Sequence, residues 1–289
     1  MIENFLSSWH LFHNSYLAGW LIGLILALIG VLVVARNQIF IGVAVSQAST
    51  LGIALTMWLG AELPAGLLLG FTAESLSPVM AVLFSVIAAL LTVPGGETSK
   101  ETPEAITGWV YLFAASAAIL IVSHSPLGLE EIYRLLSSSI IGASANDIWI
   151  FMVFLLFTAI FIGTSHRRLL LFTLDPAMAA AVGMRIKLWS LVIAAWLGLA
   201  VGLAIRTSGM LYTFGCLVLP ALVAKSLCRE VRAMFVVAPL VSLGAGVLGF
   251  ILANHHDFPP AQMTVALLCL FLCLAWAWRR FRNDLIKSP

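Results

Sequence analysis

The dominant pattern along the chain is a series of long apolar runs separated by short polar breaks. A helix that crosses the hydrocarbon core of a membrane needs roughly 20 mostly apolar residues, and runs of that length recur from end to end. The pattern therefore predicts an all-α polytopic membrane protein with about nine transmembrane helices, formed as a single transmembrane domain over residues 1–289. The spans are expected near residues 15–35, 39–60, 78–94, 105–124, 146–165, 187–206, 209–227, 231–253 and 261–281.

Composition supports this assignment. Of the 289 residues, 62% are hydrophobic and only 10% are charged, which is more apolar surface than one soluble core can bury. The first residues, MIENFLSSWHLFHNSY, contain no Lys or Arg, so they lack the basic region that opens a secretory signal peptide. We therefore expect the first apolar run to be a retained helix. Segment 62–77 fits either a half-helix at the membrane edge or an extension of the second span.

The distribution of basic residues predicts the orientation. With the N-terminus outside and the C-terminus in the cytoplasm, only Arg134 and Arg206 fall on the outer side. The remaining basic residues then face the cytoplasm: Arg36, Lys100, Arg167, Arg168, Arg185, Lys187, Lys225, Arg229, Arg232, Arg279, Arg280, Arg282 and Lys287. The same orientation places several acidic residues, Asp257 among them, at the outer face. These acidic residues either concentrate cations there or are simply what the positive-inside bias leaves behind.

Two connections are predicted to contain helices of their own. In segment 174–186, Asp175 is suited to cap a helix, Pro176 to begin it and Gly183 to end it in a left-handed conformation. The small residues AMAAAV give this cytoplasmic helix a smooth surface that suits docking into a groove of another protein, although an incidental surface helix has the same features. Segment 125–145 has apolar residues on one face and predicts an amphipathic helix at the outer interface.

Catalytic chemistry is not indicated. The sequence has no GxSxG, HExxH or GxxxxGK[ST] motif, and no ionisable residue lies near the centre of any predicted span. The chain is therefore not expected to be an enzyme, and any transport that it performs would draw its energy from elsewhere. The four cysteines lie in or at the ends of apolar runs and suggest neither a disulfide framework nor a zinc site.

The second span contains a polar cluster that calls for an explanation. In RNQIFIGVAVSQASTLG, helical spacing places Val43, Gln47 and Thr50 on one stripe and Ser46 on the adjacent one. Gln47 lies on the order of 12 Å into the helix, inside the hydrocarbon zone. Either Gln47 hydrogen-bonds a neighbouring helix, or the stripe lines a translocation path.

Three stretches resemble the membrane subunits of metal-uptake ABC transporters, the ABC-3 family: VLVVARNQIFIGVAVSQASTLGIAL, TLDPAMAAAVGMRIK and RTSGMLYTFGCLVLPALVAKSL. The resemblance covers most of the chain from about Gly30 to the last span. The positions that match the family pattern are Arg36, Gly42, Ala48, Ser49, Leu51, Gly52, Pro176, Ala179, Gly183, Gly209, Pro220 and Ala221.

The resemblance implies a permease of the prokaryotic cytoplasmic (inner) membrane that dimerises, with a second copy or with a related permease. It implies that Asp175, Pro176, Ala179 and Gly183 belong to a coupling helix that docks onto a cytoplasmic ABC ATPase. ATP and Mg²⁺ would bind that ATPase, not this chain, which is expected to hold no cofactor. The transported ion would be zinc, manganese or iron, delivered by an extracytoplasmic metal-binding protein. Lipid surrounds such a permease, and no nucleic acid is involved.

The chain departs from the family pattern where the family has an Asp and, four residues later, a His. Those positions are Val43 and Gln47, and neither valine nor a neutral amide is a good ligand for zinc. The candidates for substitute ligands lie in the outer loop, at His255, His256 and Asp257. The alternatives left open are a permease for a metal chelate or a non-metal solute, and a membrane scaffold or sensor subunit that does not transport. Further candidates for the path, beside Val43, Ser46, Gln47 and Thr50, are Tyr212 and Cys216.

Overall fold

The computed structural model describes residues 2–62, 73–93, 102–123 and 140–287, with side chains described for residues 9–59, 76–93, 102–123 and 140–282. In these ranges the regular secondary structure is entirely helical. The α-helices are α1 (Ile2–Ala35), α2 (Phe40–Glu62), α3 (Ala73–Leu91), α4 (Pro103–Val122), α5 (Ala145–Leu174), α6 (Pro176–Ala181), α7 (Ile186–Leu227), α8 (Val231–His256) and α9 (Pro260–Lys287). A short 3₁₀ helix, Ile140–Gly142, precedes α5.

Seven of the described helices are long and apolar enough to cross a membrane, and Leu76–Leu91 of α3 is a shorter apolar helix. Helix α7 covers two of the predicted spans, since its 42 residues would reach about 63 Å, twice the thickness of the hydrocarbon core. Gly209 interrupts it with φ 75° and ψ 171°, a conformation essentially restricted to glycine. Each predicted span thus has a helical counterpart, and the predicted all-α membrane fold is confirmed.

The contacts divide the chain into two compact units. Unit 1 comprises Met1–Asn37, Ser139–Asp175 and Leu211–Pro289, and unit 2 comprises Gln38–Ser138 and Pro176–Met210. The break at Gly209 lies next to the point where α7 passes from one unit to the other. The single domain expected over residues 1–289 stays a prediction.

In unit 1, α1 packs against α8, α5 and the 3₁₀ helix, and α8 packs against α9. Glycine allows the closest approach: a Cβ atom added at Gly30 would meet the backbone carbonyl of Leu217. A Cβ at Gly19 would lie 2.7 Å from the ring of Phe250. Small residues at such contacts let transmembrane helices pack closely where the hydrophobic effect cannot drive their association.

In unit 2, α2 packs against α3 and α4. Gly52 faces the backbone of Met80, and Gly198 of α7 would place a Cβ 2.6 Å from the Cα of Val86. The Ser85 hydroxyl is 2.6 Å from the carbonyl oxygen of Gly198, to which it donates a hydrogen bond. Helix α3 is therefore held through backbone contacts with α2 and α7.

Two predicted segments fall partly outside the described residues. Positions 125–139 of the expected outer amphipathic helix and positions 63–72 of segment 62–77 are not described. At the described end of the first segment, the Ser144 side chain caps α5 in a reciprocal capping box with Asp147. The start of α5 is thus set by a local sequence signal.

Candidate functional site

Within residues 41–54 of α2, the neighbouring helices leave one part of the surface accessible, at Val43 and Gln47. Within residues 41–54, these two are partly exposed and all the others are buried. They lie one helical turn apart on the same side of α2. The positions at which this sequence departs from the family pattern are therefore the accessible positions within residues 41–54.

Gln47 makes a long-range contact inside unit 2. Its Nε2 atom donates to the thioether sulfur of Met210 at 3.3 Å. A thioether is a weak acceptor, so this bond fixes the orientation of the amide at little energetic gain. The amide oxygen of Gln47 is left as a polar group on the accessible stripe.

The other hydroxyl residues of the cluster are buried. Thr50 donates to the carbonyl oxygen of Ser46 at 3.1 Å, a bond within its own helix. The hydroxyls of Ser46 and Ser49 are buried and have no hydrogen-bond partner in the described part of the chain. Thr50 therefore does not share the exposure of Val43 and Gln47, although the sequence places it on their stripe.

A groove of about 460 Å³ borders Val43 in unit 2, between α2 and α4. Its walls are mostly carbon, including Phe40 and Leu112, with polar atoms supplied by Glu104 and Tyr111. The carboxylate of Glu104 lies in the first turn of α4. The groove can accommodate an organic group with a polar end more readily than it can coordinate a bare ion.

Tyr212 and Cys216 belong to unit 1 and are buried at 1% and 0% exposure. The Tyr212 hydroxyl donates to the carbonyl oxygen of Gly19 at 2.9 Å. Next to them, a Cβ atom added at Gly23 would lie 2.8 Å from the hydroxyl of Ser242 and 3.9 Å from the sulfur of Cys216. Both residues are part of a close-packed helix contact, and their role in a path stays a prediction.

His255, His256 and Asp257, which the sequence analysis predicts at the outer face, are all exposed. The two imidazole rings lie edge to face with centroids 4.8 Å apart, and His256 stacks on Phe258 at 5.8 Å. No group of three or more His, Cys, Asp or Glu side chains arranged to hold a metal ion is found among the described residues. Metal binding by His255, His256 and Asp257 stays a prediction.

The predicted cytoplasmic helix forms as α6, which begins at Pro176. Gly183 ends it at φ 85°, where its N–H donates to Ala180 and the N–H of Met184 donates to Ala179. These two bonds form the Schellman arrangement, which satisfies the last carbonyls of a helix. Ala179 is buried, whereas Met178 and Val182 are exposed at 56% and 68%, so the helix presents an apolar outer surface.

Sequence reasoning missed a cluster at the end of α1 in unit 1. The guanidinium carbon of Arg36 lies 4.5 Å from the ring centroid of Phe172, which is fully buried near the end of α5. Burial lowers the pKa of Arg36, yet an arginine stays charged in a protein. Lys225 donates to the Asn37 side chain at 2.9 Å and to the carbonyl oxygen of Val34 at 3.4 Å. No local pattern signals these pairs, because each joins residues far apart in the chain.

Comparison with known proteins identifies the family. The model of the ABC 3 transport family matches residues 8–279, so the chain belongs to that family, whose members are the membrane subunits of ABC transporters. Similar proteins include the manganese transport system membrane protein MntC of Halalkalibacterium halodurans, 22% identical over 94% of this chain and 88% of that protein. The manganese import system permease protein ScaB of Streptococcus gordonii is 25% identical over 96% of this chain and 95% of that protein. The chelated iron transport system membrane protein YfeD of Yersinia pestis is 24% identical, with 90% and 82% covered.

Two solved structures share the fold. One is PsaBC from Streptococcus pneumoniae in complex with Fab, with a TM-score of 0.78, 19% identity and coverage of 96% of this chain and 95% of that chain. The other is an inward-facing conformation of a putative metal-chelate type ABC transporter, with a TM-score of 0.72, 17% identity and coverage of 93% and 88%. The resemblance stated from the sequence is confirmed.

Proposed function

We propose that this chain is the membrane-spanning permease subunit of an ATP-driven importer for a divalent transition metal, with manganese and iron favoured over zinc. Relatives that cover nearly the whole chain are named as membrane proteins of manganese and chelated-iron transport systems. The observation that carries the proposal is the family match over residues 8–279, joined to a short exposed helix, α6, that ends at Gly183 in a Schellman arrangement.

The energy for transport would enter through α6. An apolar surface at Met178 and Val182 on a helix that follows a basic membrane edge suits a groove on a cytoplasmic ATPase, which would bind ATP and Mg²⁺. Since Ala180 is exposed and Ala179 is buried, the substitution Ala180→Glu is the discriminating test. It should abolish ATPase binding and leave the unfolding temperature unchanged. The matched variant Ala179→Glu should lower the unfolding temperature because it buries a charge. An Ala180→Glu protein with undiminished ATP-coupled transport would refute the docking assignment.

The chain is proposed to lie in the cytoplasmic (inner) membrane of a prokaryote, with its N-terminus outside. It would act as a dimer with a second copy or a related permease, and it would receive metal from an extracytoplasmic metal-binding protein. Alternation of the dimer between outward and inward access would move the substrate along the face of α2 that carries Val43 and Gln47. Labelling of an introduced cysteine at His10 by a membrane-impermeant reagent in intact cells tests the orientation.

A second candidate substrate is a metal complex instead of a bare ion. The observation that favours it is the largely apolar groove of about 460 Å³ beside Val43, where no ligand set for a free ion is formed by the described residues. A low-charge chelate needs apolar contact and a few polar anchors, not direct coordination.

The decisive experiment is uptake into proteoliposomes that contain the permease, its ATPase and its binding protein. Radiolabelled manganese, iron and zinc are supplied as free ions and as chelates, with and without ATP. ATP-dependent uptake of a free ion supports the first candidate, and uptake of only the chelated metal supports the second. The variants Gln47→Ala and His255→Ala/His256→Ala then ask whether the α2 stripe or the outer histidines contact the substrate. Absence of any metal uptake in an ATPase-active complex would refute both candidates.

A further inference from the structure

A small cavity in unit 1 lies where α8 turns into α9, and nothing in the proposed transport function accounts for it. Its volume is about 230 Å³. Aromatic rings from Phe12, Tyr16 and Phe258 line it, and Asn254 and Asp257 add an amide and a carboxylate. The cavity therefore combines apolar walls with one negative charge.

Local backbone structure positions these groups. Asp257 ends α8 in the left-handed conformation, φ 55°, and its N–H donates to the carbonyl oxygen of Ala253. Phe258 donates to the same oxygen at 2.9 Å, which fixes the turn. Inside the unit, the ring of Tyr16 lies 5.4 Å from that of Phe250 and 6.2 Å from that of Phe12. The walls are thus held in place by packing and hydrogen bonds before any ligand arrives.

The chemistry of the cavity selects a cation. Aromatic faces attract an ammonium or guanidinium group, and the carboxylate of Asp257 adds a full negative charge. None of the described residues that line the cavity carries a positive charge. The volume is below the roughly 300–1,000 Å³ that is typical of pockets for drug-sized ligands. A single long side chain with an apolar stem and a cationic end fits these properties.

The cavity lies at the end of the unit opposite to its basic residues. Helix α8 begins beside Arg229 and Arg232, and α9 ends near Arg279 and Arg280, so their connecting turn is at the far end. By the positive-inside rule, that end is extracytoplasmic. The 26 residues of α8 reach about 39 Å, more than the hydrocarbon core requires, so its polar last turn can extend into water.

We propose that this cavity receives one lysine or arginine side chain of the extracytoplasmic binding protein when that protein docks on the permease. The cationic end lies beside Asp257, and the aliphatic stem lies against Phe12, Tyr16 and Phe258. This inference rests on the proposed function, because it identifies the partner as the protein that delivers the metal. Arginine and aromatic residues are the groups that most often dominate the energy of such contacts.

The test measures binding of the binding protein to the permease–ATPase complex in lipid nanodiscs. Asp257→Asn is nearly isosteric, and asparagine accepts the left-handed conformation, so the variant removes the charge and leaves the turn intact. We expect Asp257→Asn to raise Kd by about tenfold or more, and Asp257→Glu to retain most of the affinity. Asn146→Gln, at an exposed position of the same unit that does not line the cavity, is the control and should bind as the native chain does. In parallel, each Lys and Arg on the binding protein is changed to Gln.

The proposal requires that one of those Gln variants reproduce the loss and add nothing to Asp257→Asn in a double-mutant cycle. It is overturned if Asp257→Asn binds with native affinity, or if no basic residue of the binding protein couples to Asp257. It is also overturned if the effect appears only in nanodiscs that contain amine-headed lipids, since the cavity would then hold a lipid headgroup. The rate of ATP hydrolysis at saturating binding protein distinguishes failure of this inference from failure of the proposed function. If the binding protein does not stimulate ATP hydrolysis by the native complex, the proposed function itself fails.

Discussion

The consecutive helices α1 and α2 are buried to the same extent, since 72% of the most apolar part of each is buried, but they treat their polar groups differently. Carbonyl oxygens of α1 accept long-range bonds from Tyr212 and Lys225, at Gly19 and Val34. In α2, the buried hydroxyls of Ser46 and Ser49 have no hydrogen-bond partner among the described residues. On α1, the buried indole N–H of Trp20 also has no hydrogen-bond partner among them.

We infer from this difference that α1 and α2 meet two different requirements of a transport subunit. Helix α1, whose backbone carbonyl oxygens accept hydrogen bonds from a tyrosine and a lysine of α7, serves as a fixed support. The long-range side-chain bond of α2, from Gln47 to Met210, has only a weak thioether acceptor. A helix that has buried polar groups without hydrogen-bond partners can form hydrogen bonds with new partners during transport. Each unpaired buried group lowers the stability of the fold. Substitutions in α1 should therefore act on stability, whereas those in α2 should act on transport.

The largest effect is expected from Gly30→Ala. The added methyl group would overlap the carbonyl of Leu217, and backbone cannot move aside as a flexible side chain can. We expect the free energy of unfolding to fall by about 3 kcal/mol, the upper part of the range for overpacked cores. Gly244→Ala, which meets nothing within 4 Å, is the control and should leave stability unchanged or slightly raised. Thermal unfolding of the purified proteins compares them. Equal unfolding temperatures for Gly30→Ala and the native chain would contradict the assignment of α1 as a fixed support.

A smaller effect is expected at the end of α1 from Arg36→Ala. The substitution removes the guanidinium from the ring of Phe172, a partly desolvated contact of the kind that contributes about 1–2 kcal/mol. Arg36→Lys should retain part of this stabilisation because the charge remains. A double-mutant cycle with Phe172→Leu, followed by chemical denaturation, measures the coupling. Strictly additive effects would show that the two side chains do not stabilise each other.

Tyr212→Phe should cost about 1 kcal/mol, the usual net value of one intramolecular hydrogen bond. The hydroxyl is buried and its acceptor is the carbonyl oxygen of Gly19, so phenylalanine removes the bond without leaving a cavity. Tyr111→Phe is the control, because Tyr111 is exposed at 37%. If both variants unfold at the same temperature as the native chain, Tyr212 does not tie α1 to α7.

The sequence predicted the helices, the short helix α6 among them, because their signals are local. Apolar runs mark the spans, and the succession of Asp175, Pro176 and Gly183 marks α6 without knowledge of any neighbour. It could not tell that Val43 and Gln47 are accessible whereas Thr50 is buried, because that difference depends on which side of α2 the helices α3 and α4 cover. The sequence likewise could not predict the contacts of Arg36 with Phe172 and of Lys225 with Asn37, since they join distant parts of the chain.

The smallest effect on stability, and the sharpest test of the comparison, is expected from Ser46→Ala and Ser49→Ala. An unpaired buried hydroxyl gives no net stabilisation, so its removal should leave the unfolding temperature unchanged or slightly raised. Ser85→Ala is the matched control: its hydroxyl is equally buried but bonds to Gly198, and its loss should cost about 1 kcal/mol. Uptake in proteoliposomes should fall for the α2 variants while their stability holds. If Ser46→Ala and Ser49→Ala transport normally, the two hydroxyls do not form new hydrogen bonds during transport. The difference between α1 and α2 would then be one of helix packing only.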